Sequence, residues 1–89
     1  MKFKKRKRIF IINRKDPVVI REFSDLHKEL NRLDRRIQRY LERFYYGTEA
    51  EKAYAKRVIK RTQEEQRDAT KSTWRYLIHH GHVFIKYKD

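Results

Sequence analysis

Cysteine is absent from this 89-residue sequence, glycine occurs twice and proline once. Without cysteine, disulfide staples, thiolate nucleophiles and cysteine-ligated zinc modules are excluded. Long apolar runs are missing as well. The longest, Ile9-Phe10-Ile11-Ile12, is four residues, against the roughly 20 of a membrane span and the roughly 7 of a signal-peptide core. Only 17 residues are Val, Ile or Leu, and a chain this short buries only about 60–65% of its unfolded surface. A walled catalytic cleft is therefore not expected. The reading is one small soluble domain inside the cell, in cytoplasm or nucleoid, or in a nucleus if the source has one.

Acidic charge is scarce relative to basic: 25 Lys and Arg stand against 12 Asp and Glu, for a net charge of +13. The excess is uneven. Residues 1–15 hold eight bases and no acid, residues 16–47 seven against six, and residues 48–80 eight against five. The densest part is the arm of residues 1–8, carrying Lys2, Lys4, Lys5, Arg6, Lys7 and Arg8. Its unbroken Lys5–Arg8 block is self-repelling and needs solvent or a polyanion around it, so the arm is expected to be disordered and to stand outside a folded domain of residues 9–89. Phosphates of nucleic acid, with counterion release behind the affinity, are the expected partner of such a block.

The helical signals are strong. Asp16 suits an N-cap and Pro17 the first helical position. From there Val19, Phe23, Leu26, Leu30, Leu33, Ile37, Tyr40 and Phe44 recur at steps of four and three, a heptad seam of more than three repeats. The spacing predicts a helix over 17–46. Gly47 is expected to end it in a left-handed conformation, and Thr48 with Glu51 forms a capping box for a second helix over 49–79. With almost no linker the two should fold back as a hairpin. The second helix is weaker in pattern. Ala50, Ala53, Tyr54, Val58, Thr62, Ala69, Thr73 and Leu77 are placed on one side, whereas Gln63–Asp68 reads as an exposed stretch held by Lys60–Glu64 and Arg61–Glu65 pairs. So thin a stripe leaves part of the first helix's seam for a second copy of the chain.

Both ends look extended. Arg8–Asn13 is β-branched and aromatic, and after Gly81 the alternation puts Val83, Ile85 and Tyr87 on one face. The fold class expected is mainly α: a long helical hairpin with short terminal strands paired as an antiparallel ribbon, in the order β-α-α-β. Trp74 reads as the anchor beneath that ribbon.

Charge along the first helix reverses sign: Glu22, Asp25 and Glu29, then Arg32, Arg36, Arg39 and Arg43. Two copies packed antiparallel would set each acidic half against the other's basic half, so a homodimer is expected. Folding the hairpin gathers Arg32, Arg35, Arg36, Arg39 and Arg43 with Lys52, Lys56, Arg57, Lys60 and Arg61 into a basic tip, opposite an acidic base containing Glu22, Asp25, Glu29, Glu64, Glu65 and Asp68. Arginine-rich helix faces grip phosphate through forked donors, and rings among them stack on unpaired bases. Tyr45 and Tyr46 are the stacking candidates, since the two cannot both face inward.

His79, His80 and His82 lie close in sequence, but no nucleophile or third donor accompanies them at a catalytic or metal-binding spacing. No metal, cofactor or catalytic residue is assigned. No helix-turn-helix, RNA-recognition, KH or P-loop pattern is present. Two functions are carried forward. The first is a small nucleic-acid-binding protein, of DNA or RNA, that holds phosphates with the arm and the basic helix faces. The alternative is a protein-interaction module, such as a phage or viral accessory regulator, that binds an acidic surface of host machinery.

Overall fold

A computed structural model describes residues 7–88. Strand β1 (Lys7–Ile12) leads into helix α1 (Pro17–Tyr46), helix α2 (Glu49–His79) and strand β2 (Val83–Lys88). The expected β-α-α-β hairpin with its antiparallel ribbon is the fold observed, and the helix limits coincide with those the spacing predicts. Lys7 and Arg8, assigned to the arm from sequence, belong to β1, where they pair with Lys88 and Tyr87. Lys2, Lys4, Lys5 and Arg6 lie outside the described residues.

Each helix end has a specific cause. The Asp16 carboxylate accepts from the Val18 N–H at 2.9 Å, and the Thr48 hydroxyl oxygen accepts from the Glu51 N–H at 3.3 Å. Both satisfy donors that a first turn leaves without partners. The Glu51 carboxylate accepts from the Thr48 hydroxyl at 3.2 Å, where a capping box would send it to the Thr48 N–H. Gly47 is not left-handed, contrary to the expectation: it is extended, at φ −85 and ψ 177, with its N–H donated to the Arg43 carbonyl. Glycine is required for space, because a Cβ there would collide with the Arg43 carbonyl oxygen and lie 2.9 Å from Glu51 Cβ. The left-handed residue is Gly81, at φ 77. Around it the His82 N–H bonds Leu77 O at 2.8 Å and the Gly81 N–H bonds Ile78 O at 3.2 Å, the paired bonds of a Schellman ending.

The core has two parts. Beneath the ribbon, Val19, Leu77 and Val83 are buried with Ile12, Val18, Phe23, Trp74 and Ile78 packed around them. Trp74 anchors the ribbon as expected: its ring lies 4.9 Å from that of Phe10 and 5.3 Å, edge-on, from that of Phe23. Along the hairpin the buried residues are Leu33, Ala55 and Thr62, and the Thr62 hydroxyl is satisfied by Val58 O at 2.8 Å. The α1 seam faces α2. Val19 and Leu33 are buried, while Phe23, Leu26, Leu30, Ile37, Tyr40 and Phe44 are half-buried.

The side of α2 that meets α1 holds the expected Val58, Thr62, Ala69, Thr73 and Leu77 and departs from the expectation in the first turns. Ala50, Ala53 and Tyr54 are exposed, and the contact stripe starts at Ala55, running through Val58, Ile59, Thr62, Gln66, Ala69, Thr70, Thr73 and Leu77. Nor is Gln63–Asp68 wholly solvated. The Gln66 amide donates to the Asp34 carboxylate at 2.6 Å and to Leu30 O at 3.4 Å. Glu65 pairs with Arg36 at 3.3 Å, and neither expected pair within α2 is among the ion pairs of the described residues.

Candidate nucleic-acid interface

Helical geometry sorts the basic residues of the tip onto two opposite faces. Asp34 and Arg36 are two residues apart, about 200° around α1, and they reach α2 on opposite sides of the seam: Arg36 to Glu65, Asp34 to Gln66. Arg39 and Arg43, three and seven residues beyond Arg36, share its side, as the hollow of about 180 Å³ lined by Arg36, Arg39, Tyr40 and Arg43 records. On α2, Arg61, four residues before Glu65 and about 40° from it, rises on that same side, whereas Arg57, eight before, is turned about 80° from Glu65 onto the outer back of the helix. The lysines go the other way. Lys56 and Lys60 border a groove of about 320 Å³ whose apolar lining is Leu41, Phe44 and Ile59, with Gln63 at its end. Lys52, half-buried, is one turn before Lys56. A tip that composition presents as one basic surface is an arginine face backed by a lysine-rimmed groove.

Not every candidate base is equally available. Arg32 is bound to Glu29 within α1 through a two-pronged contact. That hydrogen bond, more than charge alone, holds the Glu29 carboxyl below and the Arg32 guanidinium above their ordinary ranges. Arg36 is tied to Glu65. Two bases of the sign reversal along α1, Arg32 and Arg36, are thus answered inside the chain, by Glu29 and by Glu65. Because Glu65 pairs with Arg36, Glu64, Glu65 and Asp68 sit near mid-hairpin and not at the far end that was expected, whereas Glu22 and Asp25, early in α1, do lie toward the ribbon end. Arg35, Arg39, Arg43, Lys52, Lys56, Arg57, Lys60 and Arg61 hold no ion pair among the described residues. Of these only Lys52 is half-buried.

Rings punctuate the arginine face. Tyr40 and Tyr54 meet edge-on at 6.0 Å, and the Arg43 guanidinium lies 5.1 Å over the Tyr40 ring, a cation–π contact that aims the fork. Tyr54 is 55% exposed. Sequence reasoning had placed it inward with Ala50 and Ala53; the overlooked signal is its spacing of three and seven from Arg57 and Arg61. Tyr45 and Tyr46 are both exposed, at 65% and 89%, where one exposed ring was expected. Tyr45 leans edge-on against Phe44 at 5.3 Å. Tyr46 stands at the very tip beside Gly47 and Glu51.

At the other end, His79 and His80 meet edge-on at 5.3 Å between ring centres, while His82 turns away. His82 Nδ1 lies 2.6 Å from the Asp16 carboxylate, tying the start of α1 to the entry of β2. That contact, followed by the Val18 N–H, holds the Asp16 carboxyl below its ordinary value. His80 packs against Tyr76 with ring centres 4.4 Å apart and planes tilted by 48°. Among the described residues no group of three or more His, Asp or Glu is placed to hold a metal ion, and no helix is long and apolar enough to cross a membrane. In comparison with known proteins, the chain matches no family model, no curated protein and no solved structure.

Proposed function

We propose that the protein binds nucleic acid carrying unpaired bases, with phosphates gripped by the arginine face and bases stacked on its tyrosines. The observation that carries this reading is the hollow that Arg36, Arg39 and Arg43 line together with Tyr40, whose ring meets the exposed Tyr54 edge-on. Arginine forks suit phosphate better than ammonium groups do, and an exposed ring among them offers a sequence-tolerant platform. Lys7, Arg8 and the arm residues Lys2–Arg6 add a second basic stretch at the ribbon end. No base-reading side chain is distinguished, so affinity rests on backbone contacts and falls steeply with salt.

Fluorescence anisotropy with labelled single- and double-stranded oligonucleotides tests the proposal. Tyr54→Ala should weaken single-strand binding by about 5- to 100-fold, the range expected for one stacked base, and change duplex binding little. No binding to any oligonucleotide at 50 mM salt would end the reading. The lysine-rimmed groove favours the alternative, a protein partner with an acidic and apolar segment. Lys56→Glu with Lys60→Glu should abolish that capture while leaving oligonucleotide binding by the arginine face in place.

A further inference from the structure

The geometry points to a docking groove for an acidic amphipathic helix of a partner protein, on the lysine side of the hairpin. It rests on the alternative reading given above and specifies what the groove holds. The hollow bordered by Lys56 and Lys60 is continued past Gln63. One turn on, Gln66 lines a second hollow of about 380 Å³ together with Leu30, Asp34, Arg67, Thr70 and Lys71. Both lie on the same side of the seam, since Leu41 of the first is seven residues, two helical turns, beyond Asp34 of the second. Taken together they run along α1 from Leu30 to Phe44, about 21 Å.

The floor of this groove is apolar and incompletely covered. Leu30, Leu41, Phe44 and Ile59 are all half-buried, because two helices meeting along a seam shield its centre and leave its flank to water. The fully buried residues along the hairpin, Leu33, Ala55 and Thr62, occupy that centre. A third helix laid in the groove covers the flank with its own apolar stripe, the packing by which amphipathic helices fill hydrophobic grooves.

The rim selects the sign of that helix. Lys56, Lys60, Arg67 and Lys71 follow one another along α2 at steps of four, seven and four residues, about 6, 10.5 and 6 Å of rise, and all four are exposed. None holds an ion pair among the described residues. The acid lining the groove is Asp34, and its carboxylate already accepts from the Gln66 amide. A helix lying alongside has the same rise, so carboxylates at steps of four, seven and four meet the four bases in either chain direction. Other occupants fit less well. A second copy of this chain, at +13, brings the wrong sign. A nucleic-acid backbone matches the rim but not the apolar floor.

Anisotropy titration of the full chain into a labelled peptide at ~150 mM salt tests the groove. The probe is an amphipathic helix of about 18 residues, with leucines along one stripe and glutamates beside it at the steps given. Half-saturation is expected below about 100 µM. A companion peptide keeps every leucine and glutamate but carries two prolines in its middle, and with its helix broken it should bind at least about 10-fold more weakly. Lys60→Glu with Arg67→Glu should weaken binding of the helical peptide by about 10-fold or more. Arg39→Glu with Arg43→Glu, the same change of charge on the opposite face, should weaken it by less than about 3-fold. Far-UV circular dichroism confirms the variants' helices, and Lys56→Glu with Lys71→Glu replaces a rim pair that does not fold. Absence of binding by either peptide overturns both the inference and the partner reading beneath it. Equal binding of the two peptides overturns the helix and leaves an acidic, apolar partner standing. Equal losses from the two charge reversals reduce the binding to general attraction and overturn the groove. Displacement of the peptide by a single-stranded oligonucleotide from the Arg39→Glu, Arg43→Glu variant would assign the groove to nucleic acid and overturn it as well.

Discussion

Replacing Arg39 and Arg43 together by glutamine is the sharpest perturbation of the arginine face. Both side chains are exposed and free of ion pairs among the described residues, and glutamine matches arginine closely in helix propensity, so the hairpin should persist. Along α1 the two are separated by four residues, about 6 Å of rise, enough for each to take its own phosphate. Two lost phosphate contacts make the salt slope, log K against log of salt concentration, shallower by about 1.4 for a single strand and about 1.8 for a duplex. Lines differing by that much in slope converge near 1 M. At ~0.1 M salt they stand apart by about 25-fold for a single strand and about 60-fold for a duplex. Anisotropy titrations of a labelled oligonucleotide across a salt series give both numbers from one data set. Lys56→Gln with Lys60→Gln removes the same charge from the opposite face and serves as the comparison. The arginine-face reasoning fails if the arginine pair leaves the slope unchanged, or if the lysine pair changes it as much. The latter result would mean that net charge and not the sorted face drives binding.

Other consequences bear on the fold. Leu77, fully buried beneath the ribbon, should cost about 3 kcal/mol on substitution by alanine, lowering the thermal midpoint by roughly 12–24 °C by circular dichroism. The two glycines should rank against their dihedral angles. Gly81→Ala has open space and suffers only its positive φ, about 1 kcal/mol, whereas Gly47→Ala must displace the Arg43 carbonyl and should destabilise more in urea titration. Asp16 supplies a pH dependence. Its folded-state carboxyl is held low, first by His82 and then by the Val18 N–H, so its stabilising share is complete above the unfolded-state value and is lost as pH falls through the folded one. Below about pH 4 the parent should therefore lose stability faster than Asp16→Asn, and equal acid slopes in thermal melts would contradict the contact.

The hairpin was legible in the sequence because its signals are local and agree with one another. Asp16-Pro17, Gly47-Thr48 and Gly81 each mark a boundary within a few residues, and the α1 seam repeats for over three heptads. The errors on α2 arise where the pattern is ambiguous. Alanines occur at 50, 53, 55 and 69, and a small residue does not tell which side of a helix is buried. Leu33 and Thr62 resolve that choice only once the helices are packed, and the result turns Ala55 inward and Tyr54 outward. Gln66 and Glu65 looked like solvent-facing residues because polarity was read without a partner. Asp34 and Arg36 on the facing helix are what bring them in. The Asp16–His82 link spans 66 residues and has no sequence signature at all.

The candidate site was legible by composition and illegible by side. Ten bases are counted at the tip, but a helix distributes residues around its axis, and the 200° between Asp34 and Arg36 decides which of them share a side. Arg39 and Arg43 join Arg61 because the seam places Glu65 opposite Arg36. One step of rotation of α2 would instead have put Lys60 there. A rigid duplex laid on this flat hairpin can engage only one of the two faces, whereas a flexible strand can pass over the tip, where Tyr46 is 89% exposed. The sorting of arginine from lysine is therefore also an argument about the ligand. Forks and rings on one face suit a strand whose bases are free to stack, and a duplex would use the phosphate contacts and leave Tyr54 idle.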